Sequence, residues 1–245
     1  MLLPLVAVQT LSLTQPVQAD DHNHPSRLTY RRGVPFIFGP VDKNMIGLFE
    51  QVKSGSVVVV SSPGGNTEAA RLVAEVIEKK NLQIGVLGVC ASACAEYILP
   101  SASKIYIEPH SFVIVHLNEI AFSTVAQEHG IRQDKLCLGV ESKWLSALYE
   151  RRGLSISFAK DQLVRLGGVT GFEPGYNGRC YSPVVYTKYD SWAPNSKQLK
   201  RDWGLTFEGG LCSDSKICIK SELRRNFLPG AKLVIGDDKD FTVVP

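Results

Sequence analysis

The chain has 245 residues, of which 44% are hydrophobic, and its formal net charge is +3 at pH 7. This length and composition predict one globular domain with a sizeable core, with or without an appendage. The densest basic clusters are isolated pairs such as Arg31-Arg32, so the charge pattern gives no support to nucleic-acid binding.

Residues 1–19 resemble a secretory signal peptide. An apolar stretch that ends near Leu13 is followed by Val17-Gln18-Ala19, which suits cleavage after Ala19. No Lys or Arg precedes the apolar stretch, and a buried strand is the alternative interpretation. The stretch is short for a membrane span, and no other segment is long enough. We therefore expect a periplasmic or secreted protein without a membrane span after cleavage.

Residues 20–33 form a polar segment that we expect to be flexible or loosely docked. It contains His22 and His24, but two histidines in such a segment make a weak metal site. We expect neither a metal nor a cofactor.

Apolar runs alternate with amphipathic segments from residue 34 to residue 168. The continuous β-branched run Val57–Val60 is typical of a strand buried on both faces, as in a parallel sheet covered by helices. The repeated β-α-β order implies right-handed crossovers and a largely parallel core. The predicted strands cover residues 34–38, 56–60, 82–89, 104–107 and 112–116, and the predicted helices cover 44–53, a segment starting at 66 or 67, 91–99, most of 122–152, and 157–166.

Residues 169–245 differ in character from the preceding domain. They are rich in turns and aromatic residues, with short strand-like pieces at 184–186 and 232–235. We expect them to form an irregular or β-rich C-terminal extension whose role the sequence does not indicate.

Six cysteines are present, and an even number in an exported chain is compatible with disulfides. Cys212 and Cys218 enclose a short turn-like loop that a local disulfide could close. Cys90 and Cys94 lack the C-x-x-C spacing of redox and zinc sites. We interpret this second pair as small buried residues that let the start of a helix pack tightly.

The tetrapeptide Ser62–Gly65 (Ser-Pro-Gly-Gly) directly follows the buried strand. Glycines at such a turn leave backbone N–H groups unobstructed, and the helix that begins next adds the positive end of its dipole. An oxyanion hole or a phosphate cradle can be built in this way. The Lys-Ser/Thr of a P-loop is missing, which disfavours nucleotide binding. The alternative is an ordinary strand-to-helix turn.

Ser92 lies among small residues at the start of a predicted helix, where it is either a nucleophile or an N-cap. The N–H of Ala93, the next residue, could donate to an oxyanion. His116 lies 24 residues after Ser92, at the end of an apolar strand, where a histidine is either a base or a satisfied core residue. His110 is the competing base, but its loop position favours a structural or exposed role.

The three motifs, in this order and spacing, resemble those of the proteolytic subunit of Clp protease: Ser-Pro-Gly-Gly at 62–65, Cys-Ala-Ser-Ala-Cys at 90–94 and Ile-Val-His at 114–116. The second motif is more similar to exported bacterial proteins of the wider ClpP/crotonase fold. The resemblance covers residues 34–168. It implies an α/β fold of the ClpP/crotonase type, a spiral of β-α-β units with a mostly parallel sheet.

By this resemblance, Ser92 is the nucleophile and His116 is its general base. The N–H groups of Gly65 and Ala93 form the oxyanion hole, and Gly64 contributes to substrate binding. These roles together describe an acyl-transfer site.

The resemblance also implies an aspartate that orients the histidine. Asp161 is the candidate for this third role, and Gln162 occupies an equally suitable alignment position. The chain departs from Clp protease elsewhere, because the segment used for stacking rings is not evident in residues 122–143. ATP-dependent proteolysis inside a ring is therefore not carried over.

The sequence thus predicts an exported, ATP-independent serine hydrolase, a peptidase acting on peptide or protein substrates. Related folds form trimers or hexameric rings, so a homo-oligomer is also an expectation. Two alternatives remain open: a crotonase-like acyl-thioester enzyme, and a non-catalytic binding protein of the bacterial envelope on the same fold.

Overall fold

The computed structural model describes residues 25–175, 178–219, 221 and 232–236. The predicted signal peptide, and with it His22 and His24, lies outside the described residues. The described chain has a mixed α/β fold with a mostly parallel central sheet, as the alternation of apolar and amphipathic segments predicts. None of its described helices combines the length and the apolar character that crossing a membrane requires.

Within the described ranges, seven strands form the central sheet: β1 (Arg27–Arg31), β2 (Val34–Phe38), β3 (Val57–Ser62), β4 (Gln83–Ala91), β5 (Ile105–Ile107), β6 (Phe112–Ile114) and β10 (Glu208–Gly209). Their order is β1-β2-β3-β4-β5-β10, and β6 pairs with β4. All neighbouring strands are parallel except β1 and β2.

Strand β1 corrects one expectation, because it lies in the segment predicted to be flexible or loosely docked. It pairs antiparallel with β2 along its whole length, from Arg27 opposite Phe38 to Arg31 opposite Val34. Its side chains are mostly exposed. A polar sequence is compatible with such an edge strand, which is why hydrophobic patterning alone does not reveal it.

The described helices include α1 (Lys43–Gln51), α2 (Thr67–Lys80), α3 (Leu99–Ser101), α4 (Glu119–Glu128), α5 (Gly139–Arg152), α6 (Ser157–Leu166) and α7 (Ser196–Gln198). Polar N-cap residues begin four of them. The side chains of Asp42, Asn66, Asn118 and Asn195 each accept a hydrogen bond from the backbone N–H three residues later. These caps satisfy N–H groups that have no acceptor within the helix.

Strand β4 changes its partner along its length, and this change determines where the polar residues of the motifs meet. Residues Ile84–Val86 pair with β5, whereas Val89–Ala91 pair with β6. Gly88 lies between the two segments with φ of +81°, a backbone conformation that favours glycine. Consequently, the carboxyl ends of β4 and β6 lie side by side, and the chain continues from them into Ser92 and His116.

The core continues past residue 168, the predicted end of the domain. Trp192 and Trp203 are fully buried, and their rings lie 5.1 and 4.8 Å from that of Phe158 in α6. Trp192 also exchanges two backbone hydrogen bonds of 2.8 Å with Val115, the residue before His116. The packing therefore crosses this sequence boundary, and residues of the C-terminal region support the segment that carries His116.

Two small sheets form in the C-terminal region. Strands β7 (Gly167–Pro174) and β8 (Tyr181–Thr187) form an antiparallel pair, and β9 (Ser191–Ala193) runs parallel to β11 (Leu233–Ile235). A disulfide between Cys137 and Cys180 ties the first pair to the chain before α5. A second disulfide joins Cys212 and Cys218, the local pairing that the sequence predicts.

Candidate active site

Ser92 lies at a sharp turn between β4 and a π-helical turn, Cys94–Ile98, that continues into α3. Its φ of +54° is in the left-handed region, which costs a non-glycine residue on the order of 1–3 kcal/mol. Its N–H donates to the carbonyl of Ile114 at 2.8 Å, and its carbonyl accepts from the N–H of Glu96 at 3.0 Å. These two bonds help to hold the backbone of Ser92 in this conformation.

His116 contacts the hydroxyl of Ser92 directly. The distance between Ser92 Oγ and His116 Nε2 is 2.5 Å, and the distance between His116 Nδ1 and the carbonyl oxygen of Leu117 is 2.8 Å. Because a carbonyl oxygen only accepts hydrogen bonds, Nδ1 carries the ring proton and Nε2 accepts from the serine hydroxyl. This is the tautomer that a general base requires.

Burial lowers the pKa of the His116 imidazole below its ordinary value, because a charged ring would lose its hydration. The hydrogen bond to the Leu117 carbonyl acts in the opposite direction but is the smaller effect. The ring is therefore neutral at pH 7, and Nε2 is free to take a proton.

The glycine turn lies against the serine. A Cβ atom added to Gly64 would be 2.5 Å from the Cβ of Ser92 and 2.9 Å from its Oγ, so only glycine fits there. Two hydrogen bonds fix the turn, one from the Gly64 N–H to Ser62 Oγ at 3.1 Å and one from the Val41 N–H to the Gly64 carbonyl at 2.8 Å. The turn thus brings the next residue, Gly65, to the immediate neighbourhood of the nucleophile.

Two N–H groups beside the serine have no acceptor among the residues that the structure describes. Within the described part of the chain, neither Gly65 nor Ala93 donates its N–H to another group. Gly65 precedes the N-cap of α2, and Ala93 is the first helical residue after Ser92. Both groups therefore lie at helix starts, where the dipole favours negative charge. Both N–H groups are therefore candidates to donate to a negatively charged oxygen.

The structure does not bring Asp161 to His116, which corrects the prediction for the third residue. Asp161 is partly exposed in α6, and the partner of His116 Nδ1 is a backbone carbonyl. Gln162, the alternative position, is buried, and its Nε2 lies 3.5 Å from Oε1 of Glu96. The rotation of α6 turns Gln162 rather than Asp161 toward the core, and Leu117 supplies the oxygen that orients the base.

Two buried acids lie behind the histidine, and the sequence analysis missed both. Glu96 is 1% exposed and Glu119 is 5% exposed. Burial raises the pKa of Glu96 well above its ordinary value, and Glu119 raises it further. The His116 backbone N–H and the Gln162 and Asn118 side chains lower this pKa to a smaller extent. The surroundings of Glu96 therefore favour its neutral form beneath the segment that carries the base.

A glutamate in a helix is usually solvent-exposed, so the sequence alone does not indicate that Glu96 is buried. Its neighbours offer the signal that could have identified it. Residues 93–100 are otherwise small, aromatic or apolar, so the helix that contains Glu96 has no polar face to present to solvent.

Cys90 and Cys94 form a disulfide that brackets Ser92, with their Cα atoms 5.3 Å apart. Both residues are fully buried. The pair was expected to consist of two small packing residues, and the bond corrects that interpretation. The left-handed turn at Ser92 folds the chain back on itself, so that a residue at the end of β4 faces the first residue of the π-helical turn.

No known protein family matches this chain, and no curated protein is recognisably similar to it. The chemistry of the site must therefore be inferred from its own geometry. That geometry combines a hydroxyl, a neutral imidazole in the accepting tautomer, and two backbone donors without acceptors.

The lowered pKa of His116 predicts how the reactivity of Ser92 depends on pH. Only the neutral imidazole accepts the serine proton, so the rate of reaction with a fluorophosphonate should fall in acid with an apparent pKa below 6.5. The rate constant is measured between about pH 4.5 and about pH 8.5. A midpoint at or above 6.5 would contradict the burial of the imidazole.

Replacing Asp161 by Asn should change the same rate constant by less than about threefold, because the side chain does not reach the base. An aspartate that orients a catalytic histidine is worth about four orders of magnitude. His116→Ala is the control variant, and it should lose almost all reactivity. A large loss of labelling rate in Asp161→Asn would show that the Asp161 carboxylate orients the base.

The substitution Glu96→Gln tests whether burial raises the pKa of Glu96. Folded Glu96 keeps a proton that the unfolded chain releases above pH 4.5, so this residue makes the wild-type protein less stable as the pH rises toward the folded-state pKa. The variant has no titrating group at this position. The free energy of unfolding of the variant minus that of the wild type should therefore increase by up to about 1.4 kcal/mol per pH unit in that window. Urea unfolding of both proteins measures the difference, in which other groups cancel. A difference that is independent of pH would show that folding does not raise the pKa of Glu96.

Proposed function

We propose that this protein is a serine hydrolase, a peptidase that cleaves amide bonds without ATP. The observation that carries the proposal is the 2.5 Å contact between Ser92 Oγ and His116 Nε2, with Nδ1 oriented by the Leu117 carbonyl. A nucleophile in hydrogen-bond contact with a base that a third group orients is the general signature of covalent acyl transfer.

In the proposed reaction, Ser92 Oγ attacks the carbonyl carbon of the substrate while its proton passes to Nε2 of His116. The negative charge that develops on the carbonyl oxygen is stabilised by the N–H groups of Gly65 and Ala93, and one such donor is worth about 3 kcal/mol. His116 then gives its proton to the leaving amine, and an ester of Ser92 remains. Water, deprotonated by the same imidazole, attacks this ester and releases the acid.

Gly64 is assigned to the substrate-binding surface. It lies against Ser92 without a side chain, so its backbone is close to the proposed nucleophile. The proposed oxyanion donors are backbone groups of two turns. Hydrogen bonds to Ser62 and from Val41 fix the turn before Gly65, and the bond from the Ser92 N–H to Ile114 fixes the turn before Ala93.

A carbonyl group orients the base in this site, and this has a consequence for the rate. The imidazolium that forms during attack is stabilised by a partial charge on the Leu117 oxygen rather than by a full carboxylate charge. We therefore propose a slower enzyme than one with a complete Ser-His-Asp triad, with the same order of chemical steps.

The wider assignment to the ClpP/crotonase type of fold, a spiral of β-α-β units, is part of the same proposal. It is supported by the mostly parallel sheet and by the three motifs, which meet around one serine. Export to the periplasm or the medium is proposed from the N-terminal sequence, and three disulfides are typical of such compartments. Peptides or proteins are the proposed substrates, and a homo-oligomer is the proposed assembly.

The contact between Ser92 and His116 favours hydrolysis over the two alternatives. A crotonase-like enzyme needs the two N–H donors to hold a thioester enolate but has no need of a serine hydrogen-bonded to an imidazole. A binding protein needs neither a left-handed serine nor a neutral buried histidine, and each of these is costly to maintain.

Fluorophosphonate labelling of the purified protein, with the adduct located by mass spectrometry, tests the proposal. We expect one adduct on Ser92, and we expect its formation to be lost in Ser92→Ala and slowed at least about 100-fold in His116→Ala. Circular dichroism serves as the control for folding of both variants. A folded wild-type protein that forms no adduct, or forms it on another serine, would contradict the proposed function.

A further inference from the structure

The disulfide between Cys90 and Cys94 closes a ring around the proposed nucleophile. Only Ala91, Ser92 and Ala93 lie between the two cysteines, whereas the Cys137–Cys180 bond spans 43 positions of the sequence. A bond that encloses so short a segment restricts the backbone of every residue in it. The residue at the centre of the ring is Ser92, whose φ is +54°.

The disulfide ring prevents β4 from continuing as an extended strand beyond Cys90. If β4 ran on as a strand, the Cα atoms of residues four positions apart would lie about 13 Å from each other. The disulfide holds the Cα atoms of Cys90 and Cys94 at 5.3 Å. The chain must therefore turn between Cys90 and Cys94, and in this structure the turn falls at Ser92, whose hydroxyl contacts Nε2 of His116.

The ring is also connected to the other two parts of the site. Cys90 lies in register with Ser62 of β3 on one side and with Val113 of β6 on the other. Ser62 begins the glycine turn, and β6 leads to His116. A change in the backbone at Cys90 would therefore displace the proposed oxyanion donors and the base as well as Ser92.

We propose that Cys90 and Cys94 are positioning residues, and that Ser92 acquires its reactive geometry only when these two thiols have been oxidised to the disulfide. This inference rests on the proposed function and concerns how that function is regulated. In the reduced chain the turn at Ser92 loses its covalent closure, and the left-handed serine relaxes toward a more favourable backbone conformation. The hydrolase is then switched off in a reducing compartment and switched on by oxidative folding.

The bond forms by thiol–disulfide exchange with a disulfide oxidant. One cysteine thiolate attacks the oxidant to give a mixed disulfide, and the second thiolate displaces the oxidant as a dithiol, so that two electrons and two protons leave the protein. Both cysteines are fully buried in the folded protein. A reductant therefore reaches this bond slowly once the fold is complete, and activation accompanies folding rather than responding to later changes in redox state.

The double variant Cys90→Ala, Cys94→Ala tests the proposal through the rate of fluorophosphonate labelling at Ser92. We expect at least about a 100-fold loss of rate, on the scale of a misplaced catalytic group, with a cooperative thermal transition retained. The matched control is Cys137→Ala, Cys180→Ala, which should label within about threefold of the wild type. This control is stringent, because closing the longer loop stabilises the fold more. A folded Cys90→Ala, Cys94→Ala protein that labels like the wild type would overturn the proposal.

Reduction of the wild-type protein provides the second measurement, for the case in which the double variant does not fold. The protein is incubated with dithiothreitol, and alkylation with mass spectrometry identifies which cysteines have become thiols. We expect labelling to persist while only Cys137 and Cys180 are reduced, to be lost together with the Cys90–Cys94 bond, and to return on reoxidation with oxidised glutathione. Labelling at an unchanged rate with Cys90 and Cys94 alkylated would overturn the proposal.

Failure of the proposed function is distinguishable from failure of this inference. A wild-type protein that forms no adduct refutes the hydrolase but leaves the geometry to be measured by NMR of the imidazole nitrogens. The positioning role predicts that the Nε2 signal of His116 changes in the Cys90→Ala, Cys94→Ala protein, or on reduction of the wild type if that variant does not fold, because the serine hydroxyl no longer donates to it. An unchanged His116 signal would show that the disulfide does not position Ser92.

Discussion

The pairing of the last three residues of β4 with β6 is the constraint on which the site depends. The change of partner at Gly88 puts both residues at adjacent strand ends, and the hydrogen bond from the Ser92 N–H to the Ile114 carbonyl locks the two ends together. The buried Trp192, bonded to Val115, supports this arrangement from the C-terminal region.

The electrostatic character of the site follows from its burial. Burial raises the pKa of the two acids behind the base, Glu96 and Glu119, and Asp161 lies away from the imidazole. The histidine is consequently oriented by a dipole rather than by a charge, and its own pKa is lowered. Such a site keeps the imidazole ready to accept a proton at neutral pH, but it stabilises the protonated ring less than a carboxylate would.

Local sequence patterns were sufficient for most of the fold. Strand β2 and helix α6 have the predicted bounds, because uninterrupted apolar runs and amphipathic periodicity are local properties. The three motifs likewise identified Ser92 and His116, which the structure brings together. Features set by tertiary geometry could not be predicted in the same way. The rotation of α6 about its axis determines that Gln162 rather than Asp161 faces the core. The left-handed φ of Ser92 brings Cys90 and Cys94 close enough to form a disulfide. The edge strand β1 escaped prediction because its exposed residues carry no hydrophobic pattern.

A crystal structure of the protein after reaction with a phosphonate would test the central claim most directly, since the phosphonyl group resembles the tetrahedral intermediate of acyl transfer. The account predicts a covalent bond from phosphorus to Ser92 Oγ, with the phosphonyl oxygen about 3 Å from the backbone nitrogens of Gly65 and Ala93. His116 would remain beside Oγ, with Nδ1 bonded to the Leu117 carbonyl. A phosphonyl oxygen that points to solvent, or a His116 ring oriented by Asp161, would contradict it.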